Sequence, residues 1–184
     1  SKSCIDFIET HCTDIDGHLF FEVTEEGIPL RKRRYVFSEC FAAIAMSEYA
    51  IASGDKSYAT KALEMFKRIL KFLSTPGFLE PKYLPTLQSR GHSITMILIN
   101  TASRIREVIE DPVLDRQINE SLTSIRQYFM HPEFKALLEM VGPKGELIDT
   151  CNGRTINPGH CIETSWFIME EARHRNWDKD LVQL

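Results

Sequence analysis

A chain of 184 residues, 43% apolar and 26% charged, is long enough to bury a core and too apolar for a disordered or fibrous protein. Its 22 Lys and Arg against 26 Asp and Glu give a net charge of −4, which excludes a general attraction for nucleic acid or an anionic membrane surface. No run reaches the roughly 18 to 20 uninterrupted apolar residues of a membrane span.

Apolar residues spaced by three and four mark six helices. A short one is expected over Lys2–Cys12. The segment "HLFFEVTEEGIPLRKR", residues 18–33, has β-rich residues around a glycine-containing turn and reads as a hairpin. Its basic end, Arg31–Arg34, is best explained as a charged strand end that discourages edge pairing, since no aromatics are interleaved for nucleic acid. "YVFSECFAAIAMSEYAIA", residues 35–52, is rich in alanine, so a neighbouring helix can approach its backbone closely. Gly54 is placed to end this helix and Asp55 to cap the next. In Lys56–Leu73 a stripe of Ala59, Ala62, Leu63, Phe66, Ile69, Leu70 and Leu73 faces inward while the lysines face away. Pro76–Pro85 is a loop. Arg90–Glu110 and Pro112–Met130 form a second helix pair, with Asp111 as the N-cap and Pro112 at the first helical position. "KALLEMVGPKGELIDT", residues 135–150, reads as a second hairpin around "GPKG". The sixth helix begins at "NPGH". This order predicts a single domain, residues 1–184, of helical hairpins laid side by side with short strands at one end.

The last helix carries the clearest chemistry. With Asn157 as N-cap, Pro158 and Gly159 fill the first two helical positions and His160 the third, at the positive end of the helix dipole. That field disfavours the imidazolium, and a neutral imidazole is what a general base needs. The spacing puts His160, Glu163 and Phe167 on one helix face, a plausible wall for a sugar. The competing reading makes His160 a capping histidine and Trp166 and Phe167 ordinary core. Cys4, Cys12, Cys40, Cys151 and Cys161 are odd in number and lack close pairing, which suits a reducing cytosol, and "SKSCIDFIET" lacks the parts of a signal peptide. Cys151, His160 and Cys161 lack the spacing of a zinc knuckle, so no metal is expected there. No glycine-rich phosphate loop occurs, and no cofactor is expected.

The segment "NPGHCIETSWFIM" resembles the NPGH-x-(I/L)-E-x-x-W-F segment of the N-acylglucosamine 2-epimerase family. "YVFSECFAAIAMSEYAIASGDKSY", "SITMILIN" and "HLFFEVTEEGIPL" resemble further segments of that family, all in its order. The resemblance implies an all-α fold of the (α/α)6-toroid type, of which this chain would supply about half the ring. It implies inversion at C2 of N-acetylglucosamine or N-acetylmannosamine by two histidines on opposite faces of the ring-opened sugar, His160 matching one of them. The second histidine and an upstream arginine of the family have no match within the chain; neither His131 nor His174 takes that role by motif. Ser38 and Glu39, in "FSECF", fall in the family signature and are expected near the sugar. His92, in "RGHSITM", either lines the pocket or caps its helix. An open half ring would leave an apolar seam, so a homo-oligomer is expected. A 2-epimerase or ketose isomerase of unmodified sugars shares this chemistry. A glycoside hydrolase using Glu39 and Glu163, or a non-catalytic module, would be the other classes.

Overall fold

The computed structural model describes residues 2–184, in the order α1 (Lys2–His11), β1 (Phe20–Val23), β2 (Pro29–Lys32), α2 (Phe37–Ser53), α3 (Lys56–Ser74), β3 (Arg90–Gly91), α4 (His92–Arg106) and α5 (Pro112–Ser124). A π-helical turn, Ile125–Phe129, continues α5. It is followed by β4 (Met130–His131), β5 (Ala136–Leu137), β6 (Met140–Val141), α6 (Pro158–His174) and α7 (Lys179–Gln183). The chain divides into two compact units. One holds the residues up to Lys82 with Arg104–Asp111; the other holds Tyr83–Ser103 with Pro112–Leu184.

In the first unit α2 and α3 pack along their length. Small residues make this close approach cheap: Ala42, Ala43 and Ala50 on α2, and Ala59 and Ala62 on α3, are all buried. Gly54 ends α2 in the left-handed region at φ 73, and the Asp55 side chain accepts from the Ser57 amide at 3.0 Å to start α3. Phe66 and Ile69 are completely buried. Leu73, expected in the inward stripe, turns outward. Phe72 takes its place and stacks on Phe78 at 4.2 Å between ring centroids. The β1–β2 hairpin forms as expected. It is tied to α2 by Glu39, whose wholly buried carboxylate receives the Leu19 amide at 2.5 Å and the Nδ1 of His18. That pairing raises the His18 pKa, against the opposing pull of burial.

The second unit departs from the expectation around "GPKG". A turn does form there, with the Gly142 amide donating to the Glu146 carbonyl at 2.7 Å. The residues after it do not return as a strand. Arg90 instead pairs with Val141 and Gly91 with Met140, while β4 pairs with β5. Gly145, at φ 87, lies against the Tyr128 backbone, where an added Cβ would sit 3.1 Å from its Cα. Capture of Arg90 and Gly91 by β6 also explains why α4 starts at His92. Likewise α5 ends at Ser124, because the wider π turn carries the chain into β4. The core beneath is Phe129, Leu138 and Val141. Among the described residues no helix is long and apolar enough to cross a membrane.

Candidate active site

His160 is positioned by the start of α6. Asn157 is extended, at φ −106 and ψ 102, and its side chain accepts from the amides of Gly159 and His160 at 3.1 and 3.3 Å. Pro158 occupies the first helical position, where its missing N–H costs nothing. His160 therefore stands third in the helix, as the sequence predicts.

The partner of His160 was not foreseen. Its Nδ1 lies 2.9 Å from both carboxylate oxygens of Glu139. An ionised carboxylate can only accept, so Nδ1 carries the hydrogen, and in the neutral form of the ring the lone pair is on Nε2. The ring is 36% exposed, half-open to a substrate. Glu139 itself is held by backbone pairing: the His92 amide donates to its carbonyl at 3.0 Å and its own amide reaches the Thr155 carbonyl at 3.4 Å. Along the run from Ala136 to Val141 the flanking side chains of Leu138 and Met140 are buried in the core. The chain bends at Glu139, between the short strands β5 and β6, and its side chain leaves the core for His160 on α6.

His92 completes the group. It opens α4 and is fully buried, with its ring edge-on to Phe129 at 5.5 Å. Nε2 lies 3.1 Å from Oγ1 of Thr164, one turn along α6 from His160. Nδ1 faces Glu139 at 3.9 Å, beyond hydrogen-bond reach. Of the two readings of His92, the side chain thus goes to its neighbours on α6 and beside β6. Burial pushes the Glu139 carboxyl up, but His92 and His160 together outweigh it and hold the group below the usual carboxylate range. A nitrogen from each imidazole and a Glu139 oxygen all lie within 4.8 Å of one another.

The other expected site residues are placed differently. Glu163 is half-buried on α6, one turn from His160, whereas Phe167 is 3% exposed and packs into the core. Ser38 is half-buried in the first turn of α2, and Glu39 is enclosed beside His18; both belong to the other unit. None of the five cysteines forms a disulfide. Burial, then the nearby Glu139 charge, push the Cys161 thiol up. Along the same helix an apolar groove of 660 Å³ is lined by Cys161 and Thr164 together with Met130, Phe134, Ile168 and Leu181.

Sequence signals for Glu139 exist in retrospect. It is the one charged residue in the run "ALLEMV", an interruption that suits a carboxylate with a task. A hairpin reading of that run hid it.

Residues 2–183 match the family model of N-acylglucosamine 2-epimerase. The N-acylglucosamine 2-epimerase of Bos taurus is 29% identical over 158 residues, 84% of this chain and 37% of that protein. The human protein of the same name is also 29% identical, over 83% of this chain and 36% of its own length. Among solved structures, cellobiose 2-epimerase from Bacillus thermoamylovorans superposes with a TM-score of 0.80 at 18% identity, covering 96% of this chain and 49% of that one. The expected fold is therefore met: helical hairpins of the (α/α)6-toroid type, about half of such a chain. The chain spans little more than a third of the curated relatives it matches.

Proposed function

The chain belongs to the N-acylglucosamine 2-epimerase family, and from that premise we propose that it takes part in interconverting N-acetylglucosamine and N-acetylmannosamine, with His160 as one acid–base group. The observation that carries this is the Glu139–His160 pair. A carboxylate on Nδ1 leaves Nε2 as the base, in the manner by which a buried acid orients a catalytic imidazole. In the ring-opened sugar the C1 aldehyde acidifies the C2 hydrogen. His160 removes that proton, and the electron pair moves through C2–C1 to the carbonyl oxygen, giving an enolate. A second acid returns a proton to the opposite face of C2, and the carbonyl re-forms. No residue of this chain is assigned that second role.

His92 and Glu163 flank His160 and are the polar groups proposed to meet the sugar. For Ser38, Glu39 and Phe167 a role near the sugar rests on the family resemblance alone, and Glu39 and Phe167 are enclosed by other side chains. The reading puts the protein in amino-sugar metabolism in the cytoplasm, acting without a cofactor, and includes self-association. A second reading, a 2-epimerase of unmodified sugars, draws on the cellobiose 2-epimerase of Ruminococcus albus, 32% identical over 72 residues.

Proton NMR of N-acetylmannosamine in D2O tests the proposal, with cellobiose and mannose run in parallel. Loss of the C2 proton signal with appearance of N-acetylglucosamine, abolished in His160→Ala, is the expected result. Exchange on cellobiose or mannose alone favours the second reading. Absence of exchange on every sugar, in a protein containing the whole family domain, refutes both.

A further inference from the structure

We propose that His92, Glu139 and His160 form a binding site for one divalent transition-metal ion, Zn2+ in the first instance, with a coordination position left open on the solvent side of His160. Binding itself does not depend on the epimerase reading; only the inhibition described below rests on it.

Three observations converge. The donors are two imidazoles and one carboxylate, a set that zinc accepts and that hard cations such as Mg2+ do not select. All three donor atoms already lie within 4.8 Å of one another. Tetrahedral zinc with bonds of about 2.0 to 2.1 Å spaces its ligands roughly 3.3 Å apart, so separations of up to 4.8 Å, including the 3.9 Å gap from His92 to Glu139, must close and the 2.9 Å His160 contact must open. His160 is the partly exposed member, with room for its ring to adjust.

The second observation concerns His92 Nδ1, which is fully buried and has no hydrogen-bond partner. Buried polar atoms are almost always paired, so a nitrogen aimed at a carboxylate yet out of its reach points to a missing bridge. The third is the outer partner. Thr164 Oγ1 sits on His92 Nε2, which leaves Nδ1 as the ligating nitrogen. With a metal on Nδ1, Nε2 carries the hydrogen and donates to Thr164, the arrangement that orients metal-bound histidines generally.

An ion on the His160 nitrogen that now bonds Glu139 would leave the ring hydrogen on Nε2, which then has no lone pair with which to take a proton. Zinc is therefore an inhibitor of the proposed reaction, reversed by chelation.

The test uses the full chain, stripped with EDTA and dialysed, titrated with Zn2+ by calorimetry and with Co2+ by visible absorption. One equivalent bound, with tetrahedral Co2+ bands and no competition from Mg2+, is expected. Affinity should fall at least about tenfold in Glu139→Gln and His160→Ala, and remain unchanged in His174→Ala, an exposed histidine. Circular dichroism confirms that the variants fold; Glu139→Gln preserves side-chain volume. Failure of the wild type to bind one equivalent, or retention of binding in both site variants, overturns the proposal. Neither outcome alters the C2 exchange assay, so the two readings fail separately.

Discussion

Replacing Glu139 by glutamine removes the charge that holds His160 while keeping its size. Nδ1 of His160 gives one hydrogen shared between two oxygens at 2.9 Å, so a single charge-assisted bond is at stake. Such a bond is worth about 1.5 to 3 kcal/mol, and each 1.36 kcal/mol is about tenfold in rate, giving a loss of roughly 10- to 150-fold in kcat. With the ring 36% exposed, water can replace part of the interaction, which favours the lower end. The assay is the initial rate of C2 proton exchange in D2O for wild type, Glu139→Gln and Glu139→Asp. Glu139→Gln should lose kcat with KM nearly unchanged, and Glu139→Asp should recover part of the rate. Stability supplies an independent readout. The Glu139 carboxyl is held below its usual range in the folded state, so its pairing stabilises fully above the unfolded carboxylate pKa, ordinarily about 4.3. That contribution disappears as pH falls through the depressed folded value. The difference in urea midpoint between wild type and Glu139→Gln should thus be largest near neutrality and shrink on acidification below about 4. A kcat within about twofold of wild type, together with a pH-independent midpoint difference, would refute the positioning role of Glu139.

Other variants probe the remaining elements. Glu39→Gln takes the charge from a buried pair and should cost about 1 to 3 kcal/mol in urea unfolding, because His18 loses its charge-assisted bond and must shed its proton. The His18 pKa is raised by Glu39, so the stability this pair contributes is full below the unfolded histidine value, about 6.5, and declines as pH rises through the higher folded value; a His18→Gln variant should lack that alkaline decline. Asn157→Ala removes the acceptor for two amides at the start of α6 and should destabilise by about 1 kcal/mol while also lowering C2 exchange. Exposed Cys151 should react with a thiol reagent before Cys161, whose thiol is raised by burial and by Glu139, and Glu139→Gln should speed Cys161 modification.

Six helices, the caps at Gly54, Asp55 and Asn157, and the family were legible in the sequence because each is written in contiguous residues; the short α7 with its Asp178 cap was not. The stripe of Lys56–Leu73, the Gly54–Asp55 junction and the Asn157–Pro158 start depend on local spacing and on side chains that bond their own neighbours, and all three appear where the spacing puts them. Even there, Leu73 and Phe72 exchange faces, since the end of a helix follows the rings it meets. The "GPKG" hairpin failed for a different reason: a turn is local, but which strand Met140 and Val141 join depends on Arg90 and Gly91, some fifty residues earlier. That same long-range pairing sets the His92 backbone beside Glu139 and, with the entry into α6, brings both side chains to His160. Sequence alone thus put the His160 imidazole at the start of α6, because a helix start is a local device. Its carboxylate partner and second histidine were decided by tertiary structure, because hydrogen bonds between distant strands leave no periodic trace in the chain.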